Sequence, residues 1–391
     1  MRYNFDKVID RSGTSAEKVE GLKHIWGRTD LIPLWVADMD FATAPFVTDA
    51  IRKRCENEVL GYTGKPDSYY NAIINWVKQR YDLVVAKEMI NFVPGIVPGI
   101  GMAMNCFTQK GDKVMIQPPV YHPFAWVTTR NERTLVTNPL KWENGMYRMD
   151  LDTFREQIKG CKLFILCNPH NPGGVVWTEA ELRAIADICY DEKVLVFSDE
   201  IHADLTLPPH THRPFATVSE KARMNSVTFM SPSKAFNMPG LSASHALIFN
   251  EDLRKRFRIY MDAGELDMGH VFAFLSVEAA YSHGTDWLDQ CLAYIQGNID
   301  FVDDFLKNHA PKIKAIRPEA SYLVWLDCRE LKLSQKDLNE FFVDKAHLAL
   351  NDGEMFGKEG IGFMRLNVAS PRCIIEKAMK QLADAYQLYI K

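Results

Sequence analysis

Short apolar runs alternate with amphipathic stretches through the middle of the chain. DKVMIQPP (112–119), CKLFILCNP (161–169), EKVLVFSDE (192–200), NSVTFMSPS (225–233) and SHALIFN (244–250) are rich in β-branched or aromatic residues and end in polar, Gly or Pro punctuation. Their length and texture predict buried strands. Between two of them, TEAELRAIADICYDE (178–192) has helical spacing, with Thr178 as N-cap and Glu181 three residues on, the signature of a capping box. Strands alternating with helices predict an α/β fold with a mostly parallel sheet, and function on the loops that follow the strand C-termini.

The texture changes near residue 290. A helical stretch, 287–309, leads into SYLVWLDCR (321–329), HLALNDGEMFG (347–357), GFMRLNVAS (362–370) and a final amphipathic helix. Residues 46–289 are therefore expected to form a large domain and residues 290–391 a smaller α+β domain. The segment 1–45 has no place in the central sheet and is expected to pack on the smaller unit.

Composition narrows the class. Across 391 residues, 47% are apolar and 25% charged, with a formal net charge of −4 and no basic stripe. That profile excludes a nucleic-acid or anionic-membrane surface of the usual kind. No apolar run approaches the ~20 residues of a membrane span. The start, MRYNFDKVIDRSG, lacks the apolar core of a secretory signal, so a cytoplasmic protein is expected. The eight cysteines form no C-x-x-C pair and several sit inside apolar runs, which reads as buried thiols. His210 and His212, in PPHTHRP, have no acidic or thiol partner close by in sequence and are read as exposed loop histidines, with no metal site expected.

Four polar segments fall where strands should end. They are Asn168 to Gly174 (NPHNPGG), Ser198 to His202 (SDEIH), Ser231 to Phe236 (SPSKAF), and Arg365 in GFMRLNV. Taken singly, each has an ordinary explanation: a solvated lysine, a helix cap, a turn asparagine, a structural ion pair. Together they supply what a pyridoxal cofactor needs. Lys234 can form an imine with its aldehyde. Asp199 can pair with the ring nitrogen, and Asn171 can donate to the ring oxygen. Ser231 and Ser233 can hold the phosphate, and Arg365 can clamp a substrate carboxylate.

N-P-x-N-P-G, S-D-E about 28 residues later, S-x-S-K-x-F about 35 residues further on, and a late arginine resemble the fold-type-I (aspartate aminotransferase) superfamily of pyridoxal 5'-phosphate (PLP) enzymes. Pro33 to Phe41 (PLWVADMDF), Gly61-Tyr62-Thr63, SDEIH and SPSKAFN resemble, more narrowly, the MalY/PatB group of cystathionine β-lyases, or C–S lyases. This resemblance implies a seven-stranded type of sheet and PLP as cofactor. It implies Lys234 as the Schiff-base lysine and Asp199 as the pyridinium partner, and Tyr121 as the aromatic on the ring face and a third catalytic group. Asn171 would bond the ring oxygen. Gly95, Ile96 and Val97 would form the phosphate-cradling turn, with Ser231, Ser233 and His202 also at the cofactor. Arg365, with Tyr121 and Asn171, would bind substrate. Tyr62 would reach the phosphate of the neighbouring subunit in a homodimer.

One departure stands out. Many relatives in the wider superfamily carry an arginine eight to ten residues after the lysine, where this chain has NMPGLSAS (237–244). The implied activity is β-elimination from L-cystathionine and related S-substituted cysteines, giving homocysteine or another thiol, pyruvate and ammonia. An aminotransferase is the alternative enzyme. A lyase that also binds a transcription activator is the alternative of another class.

Overall fold

The computed structural model describes residues 1–389, so the last two residues of the expected C-terminal unit lie outside it. At its centre is a seven-stranded sheet in the order Ile90–Val93, Ser244–Leu247, Ser226–Met230, Leu195–Asp199, Cys161–Cys167, Lys113–Ile116, Thr134–Thr137. Only Ser244–Leu247 runs against its neighbours. The other pairings are parallel. The inner strands are apolar almost throughout because helices cover both faces, as a parallel sheet requires. All five strands expected from apolar runs are present. The pattern missed Ile90–Val93, only four residues long, and Thr134–Thr137, an edge strand with partly exposed positions.

The crossover helix Glu179–Asp191 starts as expected. Thr178 Oγ1 accepts from the Glu181 N–H at 3.2 Å, and the Glu181 carboxylate accepts from the Thr178 N–H at 2.8 Å. Its buried face, Leu182, Ile185, Ala186, Ile188 and Cys189, lies on the sheet at helical spacing.

A second sheet, antiparallel and four-stranded, runs in the order Lys314–Ile316, Leu323–Asp327, Phe363–Asn367, Asn351–Asp352. The helix Thr285–His309 leads into it, so the expected boundary at 289/290 falls inside one continuous helix. The N-terminal segment is bound to this unit by backbone pairing. Ile32–Pro33 lies parallel to Leu348–Ala349, and the Asn367 N–H donates to the Leu34 carbonyl at 2.9 Å. No helix among the described residues is long and apolar enough to cross a membrane.

The eight cysteines are unpaired; Cys55 and Cys373 are exposed, Cys106 is half-buried and the rest are buried. His210 is exposed, but His212 departs from expectation. It is buried, with Nε2 2.8 Å from Glu200 Oε2. The acidic partner that the local sequence lacks comes from the end of a strand 12 residues away.

Candidate active site

The C-terminal ends of the parallel strands open onto a cavity of about 210 Å³. Asp199 ends one strand and Cys167, its partner in register, ends the next. Lys234 comes from the turn after Ser226–Met230. Asn171 comes from the loop after Cys167, and Tyr121 from the loop after Lys113–Ile116. All four line the cavity, as do Gly95, Ile96, Val97, His202 and Ser233.

Local geometry explains why each group is held there. Gly95 has φ +141°, a conformation side chains disfavour, and a Cβ there would stand 3.3 Å from Pro98 Cδ. That turn places the first N–H groups of the helix Ile96–Phe107 at the cavity wall, where the helix dipole favours an anion. Ser233 is joined there by Ser242 and Ser244, two cavity residues that motif reading missed. Ser242 follows the short turn Pro239–Leu241 in a left-handed conformation, φ +47°. These two serines occupy the stretch where an arginine is lacking. At this end of the cavity the available donors for an anion are hydroxyls and backbone N–H groups.

Ser231 departs from its expected role. It does not line the cavity, because its hydroxyl donates to the Ala243 carbonyl at 2.7 Å and accepts from the Ser233 N–H at 3.1 Å. It braces the turn that carries Ser233 and Lys234.

The charged groups are buried and incompletely partnered. Burial lowers the Lys234 pKa to about 8, with Asp38 and Asp199 opposing and Arg365 assisting. Its Nζ donates to the Ala37 carbonyl at 2.5 Å. Lys234 keeps some accessible surface, and it opens onto the cavity. Burial raises Asp199 to about 7 against one favourable contact, the Ile201 N–H donating to Oδ1 at 3.1 Å. Burial also lowers His202 to about 3, and its Nδ1 has no partner. The imidazole is therefore neutral. Tyr121 is pushed upward by burial and keeps its phenolic proton.

Arg365 lies at the centre of the strand Phe363–Asn367, directly opposite Trp325 and Asn351. It does not touch the cavity wall but reaches it through Asn171, whose Oδ1 accepts from Nη1 at 3.0 Å. That contact fixes the Asn171 amide orientation and leaves Nδ2 as the donor for a ligand. Nη2 donates to Asn351 Oδ1 at 2.5 Å and the Trp35 carbonyl at 3.2 Å, while Nε is buried without a partner. Phe356 packs on the guanidinium, 4.8 Å from ring centroid to Cζ. Burial lowers its pKa to about 10, so it stays charged at neutral pH.

Tyr62 is not brought to this cavity within one chain. It is 98% exposed, beside exposed Val59 and Leu60.

Comparison with known proteins agrees with this architecture. The model of the aminotransferase class I and II family matches residues 29–382. The chain is 38% identical to cystathionine beta-lyase PatB of Bacillus subtilis over 98% of its own length and 99% of the relative's. The crystal structure of cystalysin from Treponema denticola, which contains a pyridoxal 5'-phosphate cofactor, superposes with a TM-score of 0.96 at 34% identity over the full length of both chains. A PLP-bound C–S lyase from Staphylococcus hominis superposes with a TM-score of 0.91 at 36% identity, covering 99% of this chain and 98% of the other. With a mostly parallel sheet, a lysine-bearing cavity at its strand ends and matches over nearly its whole length, the chain belongs to the aminotransferase class I and II family.

Proposed function

We propose that this protein is a PLP-dependent C–S β-lyase that converts L-cystathionine and related S-substituted cysteines, with water, into a thiol, pyruvate and ammonia. The observation that carries the reading is one cavity holding Lys234, Asp199, Asn171 and Tyr121, with Arg365 one hydrogen bond behind Asn171. The full-length likeness to a cystathionine beta-lyase and a C–S lyase supports the choice of reaction.

The donor set fits PLP. An anion pocket (Ile96 and Val97 N–H, Ser233, Ser242, Ser244), a flat aromatic wall (Tyr121), a buried carboxylate (Asp199) and a lysine of lowered pKa surround one small volume. When bound, PLP supplies an aldehyde that condenses with amines and a ring that accepts electron density from the substrate Cα. Asp199 would then face the ring nitrogen, and a cation there removes the penalty that burial places on its ionised form. Arg365, always charged and planar, would hold the substrate carboxylate, exchanging part of its hold on Asn171 for a charge-assisted contact. Lys234 Nζ, with its pKa near neutrality, would take the proton from Cα and return one to the departing sulfur. Tyr121 and the sheet floor exclude water from the reacting face.

The same reading makes the working form a cytoplasmic homodimer in which Tyr62 enters the neighbour's site. An exposed tyrosine flanked by exposed Val59 and Leu60 is what such a crossing loop needs, and the free cysteines suit a reducing compartment. In domain terms, residues 46–289 would hold the cofactor. Residues 290–391, with the arm 1–45, would carry Arg365.

An aminotransferase is the second reading, favoured by the family the chain matches. The branch is decided by incubation with L-cystathionine and no keto acid. Sustained release of equal pyruvate and homocysteine supports the lyase. A strict requirement for added keto acid, with a matching new amino acid formed, supports the aminotransferase instead.

A further inference from the structure

The stretch Trp35 to Phe41 threads behind Lys234, and its two acids, Asp38 and Asp40, touch neither the lysine nor the cavity wall. The segment is stitched to the lysine's own turn. The Ala37 carbonyl accepts from both Lys234 Nζ at 2.5 Å and the Tyr322 hydroxyl at 2.9 Å. Asn237, three residues after the lysine and at φ +52°, accepts from the Met39 N–H at 3.0 Å. Its Nδ2 donates to the carbonyls of Met39 at 3.0 Å and Phe41 at 2.7 Å. Asn367 Nδ2 holds the Val36 and Asp38 carbonyls, each at 2.7 Å. A change in this segment is therefore felt at Nζ.

Four charges make up the cluster around these acids. Arg11, from the arm ahead of the first helix, donates from Nη2 to Asp38 Oδ2 at 2.6 Å and from Nη1 to Asp38 Oδ1 and Asp40 Oδ1, both at 3.1 Å. Lys18, with no exposed surface, donates to Asp40 Oδ2 at 2.8 Å and stands 3.6 Å from Asp38 Oδ1. Ser370 completes Asp40 at 2.8 Å. Two acids and two bases make the cluster neutral.

We propose, resting on the reading of Lys234 as the cofactor lysine, that Arg11 is a positioning residue: it cancels the field of Asp38 at Lys234 and so sets the proton affinity of that nitrogen. The charged groups facing Lys234 are Asp38, Asp199 and Arg365, and the titratable neutral ones are His202, Tyr121 on the cavity wall and Tyr322, which shares the Ala37 carbonyl. Asp38 comes from the arm-bound segment, and Arg11 alone makes a two-pronged contact with it. An uncompensated Asp38 would favour the protonated nitrogen and oppose the lowering that burial produces. The N-terminal arm thus tunes a base it never touches.

The test is a pH titration of the visible absorbance of the cofactor-loaded protein, with cofactor stoichiometry and circular dichroism measured alongside. Arg11→Gln is expected to raise the midpoint by roughly half to one pH unit. Arg11→Lys, which keeps the charge, should leave the midpoint close to its starting value. Asp38→Asn should lower the midpoint, and the double variant R11Q/D38N should return towards the starting value, because Lys18 and Asp40 then balance. Should Arg11→Gln not fold, the downward shift in Asp38→Asn carries the test alone. An unmoved midpoint in a folded Arg11→Gln or Asp38→Asn protein, or shifts of the same sign in both, overturns the proposal. Loss of cofactor absorbance from the unaltered protein would instead defeat the functional reading beneath it.

Discussion

Among the described residues, Lys18 and Lys234 both lie inside the protein, and their surroundings differ. Lys18 is sealed from solvent and meets Asp40 at 2.8 Å and Asp38 at 3.6 Å. Lys234 is enclosed too, but it touches no carboxylate; its hydrogen bond goes to a neutral carbonyl, and its remaining surface faces the cavity. The same pattern holds around each. Arg11, Asp38 and Asp40 form a closed set of ion pairs, whereas Asp199, His202 and Arg365 sit with incomplete partners and pKa values displaced by burial. Burial with a partner makes a charge structural. Burial without one leaves it poised for a ligand, at some expense in stability.

Breaking the unpartnered side should have the largest effect. Asp199→Asn is expected to fold and to lose on the order of 10² to 10⁴ in turnover, because an amide cannot hold a charged ring nitrogen in a dry site. Its stability should move the other way. The Asp199 pKa is raised in the folded state, so its ionisation opposes folding from about pH 4 upwards and fully above about 7. The cofactor-free Asp199→Asn protein should therefore melt higher than wild type at pH 8 and equally at pH 4, which differential scanning calorimetry would read.

The two lysines offer the next test. Lys18→Met leaves two carboxylates with one cation in a buried cluster and should destabilise by about 3 kcal/mol. Lys234→Met should do the opposite in the cofactor-free protein. Its folded pKa is lowered, so the charged form opposes folding below about pH 8, and the gain should be greatest there and fade towards pH 10. Matching losses in both variants would erase the distinction drawn here.

A smaller effect is expected at Arg365, the proposed clamp for the substrate carboxylate. Arg365→Lys keeps the charge but loses the planar fork that serves Asn171 and Asn351. It should lower kcat/KM on the order of tenfold to a hundredfold, mostly through KM.

Much of the fold and of the site is legible in the amino-acid sequence. Apolar runs mark five of seven strands, and Asp199, Asn171 and Lys234 follow them because polar residues at strand ends have few other reasons to interrupt such runs. What stays hidden depends on distant partners. Ser231 and Ser233 are equivalent in the motif, and both hydroxyls approach the Ala243 carbonyl, Ser231 at 2.7 Å and Ser233 at 3.4 Å; only the fold shows that Ser233 alone of the two meets the cavity. Ser242 and Ser244 lie in a stretch whose visible feature is a missing arginine. His212 resembles a loop histidine because Glu200 reaches it only through the fold. Arg11 and Lys18 carry no local signal, since their acids lie 20 to 29 residues on.

The central claim is that Lys234, and no other lysine, carries the cofactor. Borohydride reduction of the cofactor-loaded protein, followed by peptide mass mapping, tests it directly. The account predicts one cofactor per chain, fixed on the peptide that contains Lys234. The cofactor on Lys18 or any other lysine, or no stable label at all, would contradict it.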